Sequence, residues 1–104
     1  MSVKGLSFQT TELLNKVFIK HLCIEKAVLF GSRAKGTARN NSDIDIVIYG
    51  INKEFEIEAI TLELDELPLP YKFDVKAFDS IKNIALREHI ERVGICIYKI
   101  ENGL

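Results

Sequence analysis

Three carboxylates and one Gly-Ser pair hold most of the chemical information in this sequence of 104 residues. A short apolar run, Ala27 to Phe30, stops abruptly at Gly31-Ser32, and Asp43-Ile44-Asp45 opens the most hydrophobic stretch of the chain. Side chains two apart on a strand share a face, with Cα atoms roughly 7 Å apart, so Asp43 and Asp45 project together and repel each other. Hard oxygen donors of this kind suit Mg²⁺ or Mn²⁺, with phosphate oxygens completing an octahedron. Gly31 lets backbone approach a ligand closely, and Ser32 adds a hydroxyl and an N–H, so the pair suits a phosphate cradle. Arg33 and Lys35 lie in the same loop and are candidates for neutralising phosphate charge.

Geometry supplies the third acid. If the strand ending at Phe30 and the strand starting at Asp43 are antiparallel neighbours, Gly31-Ser32 lies beside the acid pair. The run from Tyr71 to Phe78 follows a segment long enough for a helical crossover, which makes it parallel to the second strand. Asp74 then comes near Asp43 and Asp45. Asp74, Lys76 and Phe78 share one face, while Phe73, Val75 and Ala77 join Ile44, Ile46 and Ile48 on the other. The expected fold class is α/β (α+β): a small mixed sheet with an antiparallel first pair, a parallel third strand, and helices packed on one face.

Gly31-Ser32, then Asp43-Ile44-Asp45, then Asp74 on a later strand resemble the nucleotidyltransferase superfamily related to DNA polymerase β. Specifically, they resemble its smallest members, the minimal nucleotidyltransferases, which include the MntA-type antitoxins. The motifs span roughly residues 26 to 78. The resemblance implies the nucleotidyltransferase fold and two divalent ions, Mg²⁺ or Mn²⁺, held by Asp43 and Asp45, with Asp74 joining at the metal nearer the attacking hydroxyl. It also implies that Gly31 and Ser32 contact the triphosphate of ATP or another nucleoside triphosphate. The implied reaction is in-line attack of an acceptor hydroxyl on the α-phosphate, with pyrophosphate leaving. Such proteins often pair with a small helical HEPN protein as toxin and antitoxin, and some transfer AMP to a tyrosine of the toxin.

Taken singly, these signals have ordinary explanations. Most Gly-Ser pairs are turns. Asp-x-Asp also occurs at solvated strand ends and in metal-dependent glycosyltransferases, and an isolated Asp74 is more often an ion-pair partner of Lys72 or Lys76. Order and convergence favour the catalytic reading. Two alternatives stay open: a non-catalytic binding module that masks a partner, and a transferase acting on a small molecule such as an aminoglycoside.

Net charge is −1, with no basic stripe of the kind nucleic-acid binding requires. An apolar share of 47% fits one globular domain over residues 1–104. The apolar runs are far too short to span a bilayer. Two cysteines, Cys23 and Cys96, show no metal or redox spacing, read as buried or half-buried thiols, and suggest a reducing cytosol. His21 and His89 fall in expected helices, far apart. The chain is compatible with a homodimer or a heteromer.

To position the site, the sequence predicts a helix capped by Thr10 or Thr11 and running to about His21, with Leu14, Val17, Phe18 and Leu22 on one side. Strands follow at 26–30 and 44–49. Residues 53–67 carry both periods, and the need for a crossover together with Pro68 and Pro70 decides for helix. A last helix from about Ser80 to Val93 ends at Gly94, and residues 95–100 read as a terminal strand.

Overall fold

The computed structural model describes residues 8–30, 43–51, 53–69 and 71–100. The elements run α1 (Phe8–Phe18), β1 (Lys26–Phe30), β2 (Ile44–Tyr49), α2 (Glu54–Asp65), β3 (Phe73–Ala77), a 3₁₀ turn (Phe78–Ser80), α3 (Ile84–Val93) and β4 (Ile95–Lys99). The strands form one sheet in the order β3-β2-β1-β4, antiparallel except for the β2–β3 pair. That parallel pair exists because α2 carries the chain back across the sheet before β3 begins.

The period of two along β2 assigns its faces. Ile44, Ile46 and Ile48 pack with Leu14, Val17 and Phe18 of α1 and Ile57, Ile60 and Leu64 of α2, forming the larger core. Val47 faces the other way and joins Val28, Phe30, Ile81 and Ile90, with Tyr49, Phe78 and Leu86 at the margin. Helices α1 and α2 therefore share one face as expected. Helix α3 departs from that expectation and covers part of the opposite face, because Leu86 and Ile90 are its apolar side.

Several local expectations shift. Helix α1 ends at Phe18 in tight turns, and Thr10 and Thr11 lie inside it, buried, rather than at its cap. Leu22 is 82% exposed because the chain has left the helix before reaching it. His21 also lies in that turn, where its Nε2 sits 2.6 Å from Glu63 Oε2 of α2. The last helix starts four residues later than Ser80, at Ile84, where the Asn83 side chain accepts a bond from the Leu86 N–H. Gly94 ends it, but in an extended conformation, with its N–H donating to Ile90 O. Its small size matters for another reason: a Cβ here would collide with Ile90 O and Val28 Cγ1. Cys23 and Cys96 are both exposed and free, since one lies in a turn and the other on an edge strand. Among the described residues, no helix is long and apolar enough to cross a membrane.

Candidate active site

Parallel pairing puts Asp45 directly beside Asp74, one pair along from Ile44 beside Phe73. The backbone lock is visible at the same end, where the Ile44 N–H donates to Lys72 O at 2.8 Å. Across the other edge of β2, Asp45 pairs with Phe30, the last residue of β1. The chain therefore leaves β1 next to Asp45. Asp43 precedes β2 and is exposed. The Gly31, Ser32, Arg33 and Lys35 readings lie outside the described residues.

Asp45 is half-buried, and burial pushes its carboxyl above the ordinary aspartate range. The neighbouring charge of Asp74 adds to the rise, Lys76 offsets part of it, and Asp43 adds a smaller contribution. Three acids thus act on one another at the open end of the sheet, a concentration of negative charge that calls for cations. As they stand they are not a formed chelate. Among the described residues, no group of three acidic, histidine or cysteine side chains is gathered closely enough to hold a metal ion.

Asp74 has another partner on β3. Lys76, two residues after Asp74 and on the same face, donates to both of its carboxylate oxygens, at 3.0 and 2.9 Å. The ordinary reading of Asp74 as an ion-pair partner of Lys76 and the reading of it as a neighbour of Asp45 are therefore both true. Lys76 is the residue that sequence reasoning left outside the site; its i, i+2 spacing from Asp74 was the available signal. The chemistry of the donor set, hard oxygens with unbalanced charge around Asp45, fits a divalent cation once Asp74 is released from Lys76.

Beyond β3, a cavity of about 590 Å³ opens between α2 and the 3₁₀ turn, lined in part by Val75, Lys76, Ser80, Lys82 and Asn83. Arg87 fixes that wall: its Nε donates to Ile81 O at 2.7 Å and its Nη2 to Phe78 O at 3.2 Å, with the guanidinium over the Phe78 ring. Tyr49 also stacks on Phe78, with ring centroids 4.3 Å apart.

No curated protein matches this chain closely in sequence. Solved structures do match its fold. A chain of a toxin–antitoxin complex solved with AMP-PNP superposes with a TM-score of 0.73 at 20% identity, covering 88% of this chain and 74% of that one. A complex of a tri-AMPylated Shewanella oneidensis HEPN toxin with an MNT antitoxin gives 0.60 at 18% identity, covering 86% and 73%. A nucleotidyltransferase-like protein from Sulfolobus solfataricus gives 0.54 at 23% identity, covering 90% and 80%. The family described as "Polymerase beta, Nucleotidyltransferase" matches residues 12–102, which include β2 with its acids, the crossover helix and Asp74. With that match over most of its length, the chain belongs to the polymerase beta nucleotidyltransferase family, in which nucleotidyl transfer is metal-dependent.

Proposed function

We propose that this nucleotidyltransferase moves AMP from ATP onto a hydroxyl of a HEPN-type partner protein, as the antitoxin of a toxin–antitoxin pair in the cytosol. The observation that carries the reading is the side-by-side register of Asp45 and Asp74, with Asp43 at the same strand end. Asp43 and Asp45 would hold two divalent ions, Mg²⁺ or Mn²⁺, and Asp74 would join at one of them. When bound, the ions offset triphosphate charge and make the acceptor hydroxyl more acidic. Gly31 and Ser32, which follow Phe30, would receive the triphosphate beside Asp45, with Arg33 and Lys35 balancing its charge. A bond forms between the acceptor oxygen and the α-phosphorus as the bridging bond to the β-phosphate breaks, pyrophosphate leaves, and the hydroxyl proton passes to solvent. The parallel pairing of β2 with β3 supports this reading by keeping Asp45 and Asp74 adjacent, a positioning role. Solved relatives in toxin–antitoxin complexes, one with AMP-PNP and one with an AMPylated HEPN toxin, support the choice of nucleotide and partner.

Incubating the protein with a HEPN-type partner, labelled ATP and Mg²⁺ tests the proposal. Label should appear on the partner, and Asp45→Asn should abolish it while the complex persists. Complex formation without any transfer by the unaltered protein would contradict it. A second reading, neutralisation by masking alone, is favoured by one observation, the engagement of Asp74 by Lys76. Under masking, the Asp43→Asn, Asp45→Asn double variant still neutralises the partner; under catalysis it does not.

A further inference from the structure

Asp74 differs from the other two acids. Among the described residues it alone of the three is ion-paired, and the pairing is complete: one ammonium engages both carboxylate oxygens, at 3.0 and 2.9 Å. Those oxygens carry the lone pairs that a hard cation shared with Asp45 would need. Lysine suits such a role better than arginine, being a compact point charge on a flexible stem rather than a rigid fork. It also has somewhere to go, because Lys76 lines the cavity of about 590 Å³ beyond β3, where Glu54 supplies a carboxylate and Ser80 a hydroxyl on a wall that also carries Lys82. Asp74 and Lys76 are 48% and 43% exposed, so the pair is screened by water and weak enough to be exchanged.

We infer that Lys76 is the resident counter-ion of Asp74, a positioning residue that a divalent cation must displace before the third carboxylate can join the other two. This inference rests on the proposed metal-binding role of the acids. Assembly of the site is then a competition between one ammonium and one dication. The consequence is a site that stays open at low metal and closes around it only when the ion, with its nucleotide, outcompetes Lys76.

The test is Mn²⁺ binding to the full chain, without and with ATP, read as loss of the free-ion electron paramagnetic resonance signal beyond that of a matched solution of Mn²⁺ and ATP without protein. Lys76→Met should tighten Mn²⁺ binding by about two- to fivefold, and Lys76→Arg, which keeps the charge and can pair with both oxygens of Asp74, should bind Mn²⁺ no more tightly than the unaltered protein. In an Asp74→Asn background, Lys76→Met should lose most of its effect, which a merely structural role for Lys76 does not predict. Equal or weaker Mn²⁺ binding by a folded Lys76→Met protein overturns the inference while leaving the metal site standing. Absence of Mn²⁺ binding in every variant, with or without ATP, overturns the metal reading and the inference together.

Discussion

Asp45 and Asp74 sit side by side in parallel register on β2 and β3, two like charges on neighbouring strands. Such an arrangement works against folding, since like charges directly opposite on neighbouring strands are destabilising, on the about 0.2–1 kcal/mol scale of cross-strand pairs. The fold tolerates it because Val47 and Ile48, immediately beyond, are fully buried and tie the strands down.

Asp45→Asn should therefore raise stability while removing activity. The raised carboxyl of Asp45 means that this group favours the fold fully below the ordinary aspartate range and loses that contribution as pH rises through its raised value. At neutral pH without metal the ionised group is a cost. Thermal unfolding in EDTA should show the variant melting roughly 1–6 °C higher than the unaltered protein, and the gap should shrink as pH falls toward the ordinary aspartate value. A variant that melts lower would mean that the acids do not strain the sheet.

Glu63 behaves oppositely. Lys20 Nζ donates to it at 2.8 Å, and His21 Nε2 lies 2.6 Å from its other oxygen, tying α2 to the turn after α1. The Lys20 bond leads in holding the carboxyl below the usual glutamate range, burial opposes it, and His21 adds to the lowering. The stabilisation is present above the ordinary glutamate value and is lost as pH falls through the lowered one. Glu63→Gln should lower the melting temperature by roughly 1–3 °C at neutral pH, and the two proteins should converge in acid.

Two glycines hold the sheet's connections for different reasons. Gly50, after β2, has φ +101° and leaves only 2.9 Å between a hypothetical Cβ and Glu25 N, besides a collision with Cys23 O. Gly50→Ala should cost more than about 1 kcal/mol. Gly94→Ala meets no backbone strain but must push aside Val28 and Ile90 O, at about 1–3 kcal/mol. Urea titration of both variants reads these losses as shifted midpoints.

Much of this architecture was legible in the sequence, and the limits have physical causes. Alternation in Ile44, Ile46 and Ile48 against Asp45 and Val47 assigned the faces of β2, and the 53–67 segment was long enough for a crossover, which put Asp74 on a parallel strand near Asp43 and Asp45; the residue-by-residue register came from the structure. Side α3 was missed because Leu86 and Ile90 make too small an apolar patch to declare which sheet face they meet. The end of α1 was missed because Leu22 continues the helical spacing past Phe18, although the chain turns away there. Spacing placed Asp74 correctly on its strand but did not reveal whether its oxygens point to the acids or to Lys76.

Calorimetric titration with ATP, with and without Mg²⁺, of the unaltered chain and of the Asp43→Asn, Asp45→Asn double variant tests the central claim most directly. Metal-dependent ATP binding by the unaltered protein, lost in the variant, is the result expected if these acids form a nucleotidyl-transfer site. ATP binding that is indifferent to Mg²⁺ and unchanged in the variant would contradict it.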